Sequence, residues 1–99
     1  MEEAEKGAIG VSSYNVLVHK KVAKNLKDLP EIHTNKFVGL IDVLTSNPFP
    51  WKQFDLKKME GSEDTYRIRF GKYRVIYYVD KRQKTIHVLK FEIRGKVYK

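Results

Sequence analysis

Residues Tyr66 to Val79 read YRIRFGKYRVIYYV, two runs of β-branched and aromatic side chains separated by Gly71-Lys72. Such side chains suit a pleated, half-buried surface, and a two-residue break that begins with glycine suits a tight hairpin. With a side-chain period of two, Tyr66, Ile68 and Phe70 share one face while Arg67 and Arg69 share the other. Closing the hairpin at Gly71-Lys72 sets Phe70 against Tyr73, Ile68 against Val75, and Tyr66 against Tyr77. Arg69 then meets Arg74. Like charges directly across a strand pair are destabilising, so a patch that gathers three guanidinium groups points toward an anionic ligand.

Outward from the hairpin, the charge is uneven. The chain has 99 residues and a net charge of +8. Residues 1–50 balance six basic against six acidic residues, so the whole excess belongs to residues 51–99. A basic face of this kind suits a phosphate backbone; acidic side chains of a partner protein would suit it as well. The length allows one modest core. There is no cysteine, which excludes disulfides and thiolate metal sites. His19, His33 and His87 are too scattered to make a metal centre by spacing. The N-terminus resembles neither a signal peptide nor a membrane span, so a cytoplasmic location is expected.

Along the chain, residues 1–13 lack periodicity and are read as a flexible N-terminal arm, leaving 14–99 as the domain. Tyr14 to His19 alternates as a strand. From Lys20, Val22, Leu26 and Leu29 recur at helical spacing, and Pro30 ends that helix and suits the start of a second. Phe37, Leu40, Ile41 and Leu44 form the second helix's apolar stripe, with His33 on the same side as a packing residue. Thr45-Ser46-Asn47-Pro48 closes it. Trp51 is expected to anchor the following loop. Phe54 to Met59 reads as a strand whose change of parity a bulge would reconcile.

Thr85 to Arg94 completes the meander. Setting Leu89 opposite Val75 and Phe91 opposite Tyr73 keeps both on the apolar face, whereas a one-residue slip would bury Lys90 and Glu92. That register places His87 on the core side and Ile86 and Val88 on the other. The cationic face then collects Arg67, Arg69, Arg74, Lys90, Glu92 and Arg94. Its far end is apolar, a sign of a partner or a covering segment. The cations could stabilise a pentacovalent phosphate during transesterification without a metal. Arginine hardly acts as a base, which leaves Glu92, a lysine of lowered pKa, or the hydroxyl of Tyr73 or Tyr98.

Lys58-Met59-Glu60-Gly61, the run Tyr66 to Tyr77, and Arg94-Gly95-Lys96-Val97-Tyr98 resemble the RelE toxins of the RelE/ParE superfamily, over residues 14–99. The resemblance implies an α+β fold: a curved, mainly antiparallel sheet of four to five strands with an N-terminal helical hairpin packed on one face. It implies a type II toxin that cuts messenger RNA in the ribosomal A site, leaves a 2′,3′-cyclic phosphate and needs no cofactor. Its partners would be the ribosome, messenger RNA and an acidic, RelB-like antitoxin in a hetero-oligomeric complex, with no membrane. By position, Arg67 and Arg69 match catalytic or RNA-holding basic residues, and Arg74 matches the transition-state arginine. Arg94 and Tyr98 match the C-terminal arginine and tyrosine, and Lys58, Lys90 and Lys96 are assigned to RNA binding. The chain departs from some relatives in having arginines at 67 and 69 where they have lysines, and no histidine in its C-terminal segment. Two alternatives stand beside this reading: a ParE-type inhibitor of DNA gyrase on the same scaffold, and a non-catalytic or degenerate binding module.

Overall fold

The computed structural model describes residues 13–95; the expected arm at 1–13 lies almost wholly outside them, as do Lys96 and Tyr98. Strand β1 (Asn15–Val18) leads into helix α1 (Lys20–Leu26) and helix α2 (Glu31–Ser46), followed by β2 (Asp55–Lys58), β3 (Thr65–Phe70), β4 (Tyr73–Asp80) and β5 (Thr85–Ile93). The strands form one sheet in the order β1-β5-β4-β3-β2. β1 runs parallel to β5, and the other pairings are antiparallel. No helix among the described residues is long and apolar enough to cross a membrane.

The helices start and stop where local chemistry changes. His19 precedes α1, and its Nδ1 accepts the backbone N–H of Lys21 at 3.3 Å, meeting one donor that the first helical turn leaves unpaired. Pro30 occupies the N-cap position of α2, where its missing N–H costs nothing. The apolar stripes of both helices then face one side of the sheet. Val22, Phe37, Leu40 and Leu44 join Ile68, Val75, Tyr77, Val79, Ile86 and Val88 in a single buried core. Each such side chain contributes roughly 1.5–3 kcal/mol on burial, and Leu56, Tyr66, Phe70 and Phe91 pack against them, partly buried.

The β3–β4 hairpin closes at Gly71, whose φ of +58° belongs to a conformation that side chains rarely adopt. Its pairings are Phe70 with Tyr73, Arg69 with Arg74, Ile68 with Val75, and Tyr66 with Tyr77, the register that alternation predicts. β5 behaves differently. Phe91 pairs with Val75 and Ile93 with Tyr73; after a shift between Ile76 and Tyr77, Val88 pairs with Tyr77 and Ile86 with Val79. Neither Leu89 opposite Val75 nor Phe91 opposite Tyr73 occurs. A bulge absorbs Leu89 and reverses the parity of everything before it. Ile86 and Val88 are thereby fully buried, Phe91 stays on the core side, and Leu89 is exposed. A uniform register could bury only one of these two sets, and His87 moves to the outer face beside Tyr78.

Two local expectations are also overturned. Trp51 does not anchor its loop: it is 66 % exposed, with only the Lys52 ammonium over its ring among the ring contacts seen. The anchoring is done by its neighbours. Pro50 is fully buried, Phe49 packs edge-on against Tyr66 at 5.1 Å, and the Tyr77 hydroxyl donates to the Pro48 carbonyl at 2.7 Å. In β2 the pairing with β3 runs unbroken from Asp55 to Lys58, so no bulge is needed; Met59 lies beyond the strand's last pair.

Candidate functional site

The face of the sheet away from the helices is ordered in rows that the register dictates. One row crosses four strands as Asp55, Arg69, Arg74 and Glu92, and the next as Lys57, Arg67, Ile76 and Lys90. A third, toward the opposite end, reads Thr65, Tyr78, His87 and Leu17. The charged rows therefore lie near the hairpin tip and the apolar row away from it.

Each arginine of the charged rows has a carboxylate. Arg67 donates from Nη2 to Asp55 Oδ1 at 3.3 Å. Arg69 donates from Nε to Asp55 Oδ2 at 3.2 Å. Arg74 donates from Nε to Glu92 Oε1 at 2.8 Å, and its Nη2 lies 2.7 Å from the same oxygen. The first row thus runs negative, positive, positive, negative, which offsets the repulsion between Arg69 and Arg74. Arg67 is the least accessible of the three, with a side chain 18 % exposed and a buried Nε that has no hydrogen-bond partner among the described residues.

Arg94 arrives from another direction. It follows β5, where its backbone N–H donates to the Lys72 carbonyl at 2.6 Å, and Gly95, with φ of +76°, turns the chain immediately afterward. That bond ties the end of β5 to the hairpin tip. An open cleft of about 740 Å³ wraps this end of the molecule, and Arg69, Lys72, Arg74 and Arg94 supply its cations. Asp28, Asp55 and Glu92 are its carboxylates, and Leu29, Phe91 and Ile93 give it an apolar part. Arg67 lies behind Arg69 rather than on the cleft lining.

The sequence-derived candidates divide accordingly. Arg67, Arg69, Arg74 and Lys90 share the outer face, and Arg94 joins Arg69 and Arg74 at the cleft. Lys58 pairs with Tyr66 on the helix-side parity, so Lys57 is the β2 lysine on the arginine face. Tyr73 also points the other way: it is buried, with its hydroxyl 2.8 Å from Nδ1 of buried His33. Its hydroxyl is therefore not available to the arginine face. Tyr98 and Lys96 lie outside the described residues. Asp55 is the residue that sequence reasoning missed. The alternation Asp55, Leu56, Lys57, Lys58 was its signal, since pairing Leu56 with Ile68 fixes Asp55 opposite Arg69. Among the described residues no group of three or more His, Cys, Asp or Glu could hold a metal ion.

Comparison with known proteins agrees with this architecture. The model of the ParE toxin family of type II toxin–antitoxin systems, parDE, matches residues 16–98. A Methanocaldococcus jannaschii protein named as a toxin, RelE1, is 44 % identical over 86 residues, covering 87 % of this chain and 96 % of its own. The crystal structure of the archaeal RelE–RelB complex from Pyrococcus horikoshii matches with a TM-score of 0.74 and 42 % identity, over 86 % of this chain and 99 % of that one. A double mutant of the E. coli toxin RelE, solved in the free state, shares the fold at a TM-score of 0.67 with 16 % identity, over 84 % of this chain and 85 % of that one. With the meander, the helical pair and the arginine rows all in place, the chain belongs to the RelE/ParE superfamily of type II toxin–antitoxin toxins, as a RelE-like member.

Proposed function

We propose that this toxin is a ribosome-dependent messenger RNA endonuclease that cuts in the ribosomal A site and so inhibits translation. The observation that carries the reading is the convergence of Arg69, Arg74 and Arg94, from three different segments, on one open cleft. In the proposed reaction the ribose 2′-hydroxyl attacks the adjacent phosphorus and the bond to the 5′-oxygen breaks. A 2′,3′-cyclic phosphate results, together with a 5′-hydroxyl fragment whose leaving oxygen takes its proton from solvent water. Negative charge builds on the non-bridging oxygens, where Arg74 and Arg94, permanently protonated, stabilise it. Arg67 and Arg69 hold the adjoining backbone together with Lys90 and Lys57. The proton of the 2′-hydroxyl goes to a carboxylate of the cleft, Asp28 or Glu92 among the described residues, since both oxygens of Asp55 are taken up by Arg67 and Arg69. Tyr98 and Lys96 keep the stacking and backbone-holding roles that the family resemblance gives them.

The partner reading follows from similarity to toxins solved with RelB. An acidic, RelB-like antitoxin binds the toxin in the cytoplasm as a hetero-oligomer and neutralises the arginine face. Its apolar contacts fit the hollow of about 390 Å³ at the other end of that face, among Leu17, Tyr78, His87 and Leu89. A second reading has one observation in its favour, the match to the ParE family model, and would make the chain a gyrase inhibitor that cuts nothing. Primer extension on a translated message, run beside a supercoiling assay, decides between them. The nuclease reading expects A-site cleavage that needs the ribosome and disappears in Arg74→Ala and Arg94→Ala. Supercoiling inhibition without cleavage would overturn it.

A further inference from the structure

The carboxylate of Asp55 is divided between two guanidinium groups, one oxygen to each: Oδ1 to Arg67 at 3.3 Å and Oδ2 to Arg69 at 3.2 Å. It reaches them from β2, the margin of the sheet. On the other side Glu92 draws Arg74 toward β5 at 2.7 Å. Arg69 and Arg74 are direct cross-strand partners, so repulsion alone would leave their long side chains to spread over many rotamers. The flanking acids instead pull the two guanidinium groups apart, in opposite directions across the sheet. The strip over β3 and β4 is thereby flanked by the Arg69 guanidinium on its β2 side and the Arg74 guanidinium on its β5 side. Each guanidinium carries five N–H donors, and Asp55 engages only part of the set on Arg69, so donors remain for an incoming phosphate. Arg67 needs the same support, because its Nε is buried without a partner among the described residues and its Nη2 bond to Asp55 is its one side-chain hydrogen bond to a described residue.

We propose that Asp55 is a positioning residue: it holds Arg67 and Arg69 on one side of a phosphodiester site whose other side is Arg74. The claim rests on the cleavage reading above and adds a residue to it. A carboxylate that merely screens the arginines and one that positions them have opposite signatures in turnover. Removing a screening charge strengthens RNA binding and leaves turnover equal or faster. Removing a positioning group leaves binding equal or tighter, since net positive charge rises, yet slows turnover, because the guanidinium groups no longer wait where transition-state charge develops.

The test compares Asp55→Asn, Asp55→Ser and Asp55→Glu with the wild type in ribosome-dependent cleavage, in binding of a single-stranded RNA oligomer, and in thermal unfolding. Asp55 is half exposed on an edge strand, where a neutral replacement should shift the melting temperature by no more than about 2–3 °C, and thermal unfolding identifies the folded variants. The expected result is a turnover at least tenfold lower in the neutral variants with RNA affinity unchanged or higher, and Asp55→Glu within about threefold of the wild type. Unchanged turnover in a folded neutral variant, or Asp55→Glu as slow as Asp55→Asn, overturns the proposal. Should the wild type cut nothing, the cleavage reading fails by itself, and positioning is read from the side-chain Nε–H NMR signal of Arg69. A distinct signal that collapses into the solvent-averaged envelope in Asp55→Asn upholds the hold on Arg69; an unchanged signal removes it.

Discussion

Replacing Arg74 by alanine separates chemistry from folding, because its structural and functional contributions differ in size. On the structural side the side chain is half exposed, with a single partner among the described residues, Glu92, itself 41 % exposed. Exposed pairs of this kind are worth about 0–1 kcal/mol. The substitution also relieves the like-charge contact with Arg69 across the hairpin, a term of about 0.2–1 kcal/mol in the opposite direction. The two nearly cancel, so stability should change by no more than about 0.5 kcal/mol, about 2–3 °C in melting temperature for a domain of this size. On the chemical side, deleting one preorganised donor to developing oxyanion charge costs about 10²–10³ in rate. Losing one phosphate contact should also lower the slope of log affinity against log salt by about 0.7 for single-stranded RNA. The measurements are single-turnover cleavage on programmed ribosomes, thermal unfolding, and RNA binding over a salt series. A folded variant that cuts within threefold of the wild type would refute the role given to Arg74. A melting temperature lower by more than about 10 °C would refute the cancellation argued from its surroundings.

Deleting Leu89 removes the surplus residue and lets Val88, Lys90 and Phe91 alternate without a break, so the variant should fold with a melting temperature within a few degrees of the parent. Deleting Ile76, on the facing strand, must instead turn either Tyr73 and Val75 or Tyr77 and Val79 out of the core, a loss of at least about 3 kcal/mol that circular dichroism should register as unfolding or severe destabilisation. Tyr77→Phe should cost about 1–2 kcal/mol by breaking the bond to the Pro48 carbonyl. Burial holds the Tyr77 proton well above the usual tyrosine value of 10.0; the unfolded chain releases it first, so stability present below pH 10 falls as pH rises beyond it, and denaturant titrations should show a shallower alkaline loss in Tyr77→Phe. Trp51→Ala should change stability by less than about 0.5 kcal/mol in the same titrations, given the exposure of the ring.

How far the sequence could be read depends on how local the deciding contacts are. The β3–β4 register was legible because a two-residue turn at Gly71 leaves one pairing that keeps Ile68 and Val75 together. The two helices were legible for the same reason: their apolar stripes and the break at Pro30 are properties of a few neighbouring residues. β5 was not, because its sequence holds two apolar sets of opposite parity, Ile86 with Val88 and Phe91 with Ile93, and alternation in one strand cannot say that the sheet satisfies both. Only the facing strand supplies that answer, through the shift at Ile76 and Tyr77. Trp51 misled for a related reason. Pro50, Trp51 and Phe49 have equal claims by composition, and which of them enters the core depends on the position of Tyr66 and Tyr77. The candidate site was legible in Arg67, Arg69 and Arg74, which ride on the hairpin, while Asp55 required the β2 register.

The bulge also bears on function, through the division of the outer face. Between Leu89 and Ile93 the outward residues of β5 are Lys90 and Glu92, which fall in line with Ile76 and Arg74 and complete the charged rows. Before the bulge the outward residue is His87, in line with Tyr78 and Leu17. A single alternation through β5 would have carried Ile86 and Val88 to the outer face, widening the apolar patch, and would have left the core short of two fully buried side chains. The parity change therefore keeps the uncovered apolar area small while leaving Glu92 opposite Arg74. Since the helices cover the core side of the sheet, the outer face is, among the described residues, the broad surface the sheet has to offer. Its polarity runs along the strands, cationic at the hairpin tip and apolar at the far end. An RNA backbone and an apolar protein segment would consequently meet different ends of the same sheet, and an antitoxin that spans both ends must bring acidic residues to one and apolar residues to the other.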